Sequence, residues 1–221
     1  MRIRTALLAA LLLPGLACSA IGGAKAQVPP VPVTRDSTAD TLGSTLVPAG
    51  YGSLRQDDIA IKIQLQSVLV KALPLDEGVI RMLVPDLYKS LAGLKASKLT
   101  DIDARARRYG AQQYSLWYVQ YFGLEPDARF SPMEFLINSA GRDFRPVDVV
   151  PLSNGFGEQR LKQREVQTAI FIFDRDVDVT QPLTVTIEGA ANASWGSTVR
   201  LIERERSLIR SRAARTARPP E

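Results

Sequence analysis

The chain has 221 residues, with 28 Lys+Arg against 23 Asp+Glu, no histidine and a single cysteine, Cys18. Without imidazole, Ser-His-Asp and Cys-His nucleophilic machinery and histidine zinc sites are excluded, and one thiol makes neither a cysteine zinc site nor an internal disulfide. Carboxylate-only chemistry survives, because two Asp/Glu are enough to hydrolyse a glycosidic bond, but the acidic residues sit at turns or beside Arg without a distinctive pairing.

Arg2 and Arg4 precede the apolar run Ala6 to Leu13, which Pro14-Gly15 breaks, and Ala24-Lys25-Ala26 supplies a small-x-small site before Gln27. This predicts a secretory leader over 1–26, too short in its apolar part to span a membrane. The alternatives are a lipidated Cys18, although Gly15 stands where a lipobox has leucine, and a leader retained as a tether. The expected location is exported, periplasmic or envelope-associated. Without Arg2, Arg4 and Lys25 the balance becomes 25 against 23. Residues 200–221 hold seven Arg and three Glu, a local +4, which leaves 27–199 at 18 against 20. The chain therefore reads as a basic tail (204–221) on a nearly neutral body, and nucleic acid is not an expected partner.

Residues 27–50 mix Pro, Ser, Thr, Asp and Gly with no apolar period and read as a flexible tether. A folded domain is expected over 51–203. Ile59, Ile61, Ile63 and Leu65 alternate with polar residues as in a half-buried strand, and the alternation slips at Ser67, marking a bulge or a second strand that ends at Pro74. Asp76-Glu77-Gly78 then predicts a turn followed by a short strand. Pro85 with Leu87, Leu91 and Leu94 predicts a helix, and Thr100-x-x-Asp103 a cap for a second one ending at Gly110, with Asp101 and Asp103 placed to pair with Arg105 and Arg107. Together they form a helical insertion over 85–109.

Strand-like segments follow: Tyr114 to Phe122, apolar on both faces, then "MEFLINSAGRDF", "VDVVPL", "VQTAIFIF" and "LTVTIEG", separated by Gly, Pro and Asn turns. Short strands with regular turn signals predict a mainly β architecture, a sandwich or barrel. The stretch "FSPMEFLINSAGRDF", through Phe130, Ser131, Pro132, Phe135, Leu136 and Gly141, resembles the immunoglobulin-like domains of exported bacterial proteins and lipoproteins over about residues 112–189. That resemblance implies an immunoglobulin-like β-sandwich, here with a helical insertion, and a binding or scaffolding role. The helical insertion and the absence of cysteine from the body depart from it.

Asp174-x-Asp176-x-Asp178 resembles the start of a calcium loop, but Val179 stands where the loop needs Gly and Val185 where it needs Glu. The expectation is a charged turn between strands, with a weak calcium site on these three aspartates as the rival. "SNGFGEQR" reads as a hairpin turn and the sequon at Asn192 as incidental. In the tail, Leu201, Ile202, Leu208 and Ile209 recur among arginines, which fits either an amphipathic helix on an anionic membrane or partner, or a strand end with a solvated terminus. The sequence thus predicts a non-enzymatic binding or accessory module of the bacterial cell envelope with no cofactor, contacting an envelope protein or membrane complex through Trp117, Tyr118, Tyr121, Arg204, Arg206, Arg210 and Arg212. A calcium-binding sandwich and a carboxylate-dependent glycan-active enzyme are the alternatives.

Overall fold

The computed structural model describes residues 46–216; the leader, Cys18, most of the tether and the last five residues lie outside the described residues. Helix α1 (Gln56–Ile59) leads into strand β1 (Ile61–Gln64), which buries Ile61 and Ile63 and exposes Lys62 and Gln64. The slip at Ser67 is a hairpin: β2 (Val68–Pro74) runs antiparallel to β1 with Ile63 opposite Val70, and Leu65 N donates to Val68 O at 2.8 Å. The strand expected after Asp76 is instead a helical turn, α2 (Glu77–Ile80). Asp76 Oδ1 accepts from Val79 N at 3.1 Å, so the aspartate read as a turn residue acts as a helix N-cap. Val79, Ile80, Met82 and Leu83 still enter the core, and only an isolated parallel bridge, Leu54 to Leu83, joins them to another extended segment. Gly52 permits this approach, since a Cβ there would lie 2.3 Å from Leu83 O.

The two expected helices of the insertion are one, α3 (Pro85–Arg108), with Pro at the first turn, Asp86 near its N-terminus and Arg105, Arg107 and Arg108 in its last turn. Nothing between Gly93 and Thr100 breaks a helix, so propagation continues through the residue read as a cap. Gly110, at φ +68, ends it. The Asp101–Arg105 pair forms at 2.9 Å, but Asp103 accepts from Tyr114 Oη at 2.6 Å while Arg107 turns to the Asp103 carbonyl. Arg105 also reaches Asp148 and Val149 O at 3.3 Å, docking α3 on the sheet edge.

Strand β3 (Ser115–Gly123) is the centre of a five-stranded antiparallel sheet in the order β1-β2-β3-β9-β7, where β7 is Pro146–Pro151 and β9 is Val166–Phe173. Strands β5 (Phe135–Ser139), β6 (Arg142–Phe144), β10 (Leu183–Ile187) and β11 (Ala190–Asn192) form a second antiparallel sheet, ordered β11-β10-β5-β6, and β4 (Ala128–Arg129) with β8 (Arg160–Leu161) makes a small ribbon. Both hairpins of the second sheet use two-residue turns with positive φ at both positions, Ala140-Gly141 and Glu188-Gly189, whose twist matches that of the strands. The segment read as a hairpin at Asn154-Gly155 is a 3₁₀ turn, Phe156–Glu158, pinned by Phe156 against Tyr121 and Phe130.

The two sheets face each other across an aromatic core. Phe135 of the second sheet lies 5.2 Å from Phe171, 6.0 Å from Phe173 and 6.4 Å from Trp117 of the first, ring centre to ring centre. The protein is thus mainly antiparallel β sheet in a sandwich-like arrangement, with about a third of its described residues in helices. At one side of the sandwich Asn192 Nδ2 of β11 donates to Lys62 O of β1 at 2.8 Å, and at the other the chain itself crosses from β6 to β7 through Arg145.

Of the two readings of the basic segment, its described part is helical. Helix α4 (Trp195–Thr216) starts inside the expected domain and runs through the described part of the basic segment. Trp195 Nε1 donates to Val179 O at 2.9 Å, its ring sits 6.2 Å from Trp117, and Ile202 and Ile209 are buried below it. At the other end, one residue assigned to the tether is packed: Val47 is buried and its carbonyl accepts from Arg81 Nη1 at 2.9 Å.

Candidate functional site

The residues proposed for partner contact divide by burial. Trp117 and Tyr121 are 0 % exposed and Tyr118 is half-buried on the opposite face of β3, so the first two belong to the core and offer no contact surface. An aromatic strand that is covered on both faces has the same composition as an exposed aromatic patch, which is why burial alone separates them. The Tyr121 hydroxyl is enclosed without a hydrogen-bond partner, and burial holds its pKa well above the ordinary tyrosine range.

The arginines of α4 divide in the same way. Arg206 is 8 % exposed and lies on the core side, 3.5 Å from Glu203 Oε1. Arg212 turns inward to Glu205, which is 4 % exposed: the carboxylate accepts from Arg212 Nη1 at 2.6 Å and from Ser53 N and Oγ, both at 2.8 Å, while Arg212 also donates to Tyr51 O at 2.7 Å. Arg212 thus fastens the helix to the start of the folded body, whereas Arg206 bonds only within the helix. Arg204 and Arg210 remain outside, and with them Arg200 and Arg215, residues the contact prediction did not include. At 100° per residue Arg200, Arg204 and Arg215 share one stripe with Ser207 and Ser211, opposite Ile202 and Ile209. None of Arg200, Arg204 and Arg210 has an acidic partner among the described residues, whereas Arg215 donates only to Ser211 O within the helix. The outward stripe was visible in the sequence as the i, i+4 spacing of Arg200 and Arg204, once the helix start is placed at Trp195.

The three aspartates do not converge. Asp174 is exposed after the end of β9, Asp176 turns inward to accept from Ser115 Oγ at 3.1 Å, and Asp178 accepts from Thr180 N at 2.8 Å and Oγ1 at 2.5 Å. Among the described residues no three acidic, His or Cys side chains gather to hold a metal ion. The calcium alternative on these residues is therefore set aside, because a ligand set needs the carboxylates to point at one centre, and Asp176 is drawn inward to Ser115 while Asp178 is claimed by its own turn at Thr180. Asp176 and Asp76 both line a cavity of about 10 Å³ with Ser115 and Trp117, a space that admits one water and no substrate. Burial raises the Asp176 pKa, opposed by the Ser115 hydrogen bond and helped by the neighbouring Asp178 charge.

A larger concavity lies where β6 crosses to β7. Arg142, Phe144, Asp174 and Arg175 line two adjoining clefts of about 640 and 750 Å³, joined by Asp143, Arg145, Pro146 and Val147 on one side and Gly110, Gln112, Gln113 and Asp176 on the other. No family model matches the chain, and no curated protein or solved structure shows significant similarity to it.

Proposed function

We propose that the protein is a non-enzymatic binding or accessory module of the bacterial cell envelope, exported by its leader segment and docked on an anionic surface through α4. The observation that carries this reading is the outward stripe of α4, where Arg200, Arg204 and Arg215 are exposed without carboxylate partners while the opposite side of the same helix is buried in the body. A stripe of unpaired guanidinium groups on a rigid rod gains most from a surface of fixed negative charge, and anionic lipid headgroups at the face of an envelope membrane supply one. No helix among the described residues is long and apolar enough to cross a membrane, so the proposed attachment is peripheral. The finer reading of the sandwich as an immunoglobulin-like domain is supported by the placement of Phe130 and Phe135, two residues of the resemblance, in the inter-sheet core.

The test is cosedimentation of the chain with phosphatidylglycerol-containing vesicles. Binding that is absent from pure phosphatidylcholine vesicles, and that drops about tenfold or more when Arg200, Arg204 and Arg215 become Ser, is the expected result, since each basic residue near such a surface contributes about 1 kcal/mol. Equal binding to neutral vesicles, or an unchanged affinity in the triple variant, would overturn the docking reading.

A further inference from the structure

The cleft at the β6–β7 corner lies apart from α4 in the chain and shares no residue with the docking stripe. We propose that it binds a carboxylate-bearing sugar, with Arg142 and Arg175 clasping the carboxylate, Phe144 beneath the ring and Asp174, Gln112 and Gln113 meeting the hydroxyls.

Four observations support this. The first is the state of the arginines: the side chains of Arg142, Arg145 and Arg175 are exposed and make no hydrogen bond or ion pair with any described residue, although Asp143 and Asp174 line the same space. Asp143 is instead occupied, accepting from Asn138 Nδ2 at 2.7 Å. Free guanidinium forks match a carboxylate bidentately. The second is the frame. Arg142 opens β6 opposite Ser139 across the tight Ala140-Gly141 turn, Arg175 follows the buried Phe173 by two residues, and the β7–β9 register shifts between Pro146 and Asp148 beside them. Register irregularities of this kind re-aim side chains at sheet edges. The third is charge. Three arginines face Asp143, Asp174 and Asp176, a net charge of zero, but Asn138 already holds Asp143 and Ser115 holds Asp176, so the side chains left unengaged are three arginines and one aspartate, which suits a ligand carrying a single carboxylate beside hydroxyls and sets three carboxylates against a polyphosphate. The fourth is the remaining lining: a half-buried Phe144 offers an apolar face at the floor, and exposed Gln112, Gln113 and Asp174 offer donors and acceptors around it. Each cleft has the size of a small-molecule site, about 300–1,000 Å³.

The experiment is calorimetric titration of the full chain with the methyl glycoside of galacturonate, which carries one carboxylate, and with its methyl ester, which has the same ring and hydroxyls and no charge. The acid is expected to bind at least about tenfold more tightly than the ester, the usual worth of a charge-assisted hydrogen bond. The double variant Arg142→Gln/Arg175→Gln should lose that preference while circular dichroism remains unchanged, because both side chains are exposed. Phe144→Leu, which keeps apolar volume without the aromatic face, should weaken acid and ester alike. Equal affinity for acid and ester, retention of the preference in the double variant, no saturation up to about 20 mM sugar acid, well above millimolar affinity, or tighter binding of tripolyphosphate or of a peptide C-terminal carboxylate would each overturn the proposal. The triple arginine variant of α4 leaves this cleft intact, so the two proposals fail separately.

Discussion

Asp176 ionises at a cost. Its folded-state pKa lies above the ordinary carboxylate value, mainly through burial, so the fold favours the protonated form. The stabilisation this brings is complete below the unfolded pKa and is lost as pH rises through the folded one, leaving an energetic penalty at neutral pH. Asp176→Asn keeps an acceptor for Ser115 Oγ and removes the charge. It should raise the Tm at pH 7 by about one or two degrees, a modest change for a half-buried group, and the gain should vanish on acidification. A calorimetric Tm measured across acidic and neutral pH checks this, and a variant that is less stable at pH 7 would contradict it. Asp57 has the opposite sign: the Lys71 hydrogen bond, with help from Lys62, lowers its pKa against a small burial cost, so its contribution is present above the usual carboxylate range and fades as pH falls through the lowered value. Trp117 illustrates the core instead. It touches Phe135, Phe173 and Trp195, and Trp117→Ala should cost about 3–5 kcal/mol in denaturant unfolding. A cost below 1 kcal/mol would place it outside the core.

At the scale of elements, the strands were legible in the sequence and the helices only partly so. The alternation of Ile61 to Gln64 and the two-faced apolar run of β3 are direct imprints of strand geometry and burial, whereas the segment read as one strand over 133–144 folds into a hairpin at Ala140-Gly141. The apolar run Val79 to Leu83 has no periodicity that separates a strand from a helical turn, and the deciding bond, from Val79 N to Asp76 Oδ1, is a local choice the pattern does not display. The start of α4 was missed for a different reason: Ser194, whose carbonyl accepts from Ser197 N and Thr198 N, stands at the N-cap but was read only as part of an incidental sequon, and Trp195 is held by Val179 O, a partner sixteen residues away. The lock between α4 and the body was equally invisible, because Ser53 and Glu205 are 152 residues apart. Glu205→Ala strips the acceptor from Ser53 and Arg212 at once and should destabilise the protein by about 2–4 kcal/mol. Hydrogen exchange in the second half of α4 should accelerate with it. Unchanged exchange there would mean that Ile209 alone holds the helix.

For the whole molecule, the sequence suggested the sandwich and the basic C-terminal character but could not say which arginines face outward, since that depends on where the core lies. The body buries the apolar stripe of α4, leaving Leu208, 43 % exposed, as the one large apolar side chain on the helix's open surface. This separates two modes of membrane association. An amphipathic helix that inserts keeps a salt-resistant hydrophobic component and moves aromatic residues into lipid. Here the apolar residues are already occupied, both tryptophans are fully buried, and only charge remains to act at the surface. Attraction of this kind weakens as the screening length falls from about 10 Å at 0.1 M salt to about 3 Å at 1 M. Binding to anionic vesicles is therefore expected to disappear by about 0.5 M sodium chloride, with no blue shift of tryptophan fluorescence on binding at low salt. A bound fraction that persists at high salt, or a shifted tryptophan spectrum, would require α4 to leave the body and expose Trp195, Ile202 and Ile209. The Glu205→Ala variant makes that alternative visible: a released helix would gain salt-resistant binding as the lock is broken, whereas a docked helix loses stability and gains none.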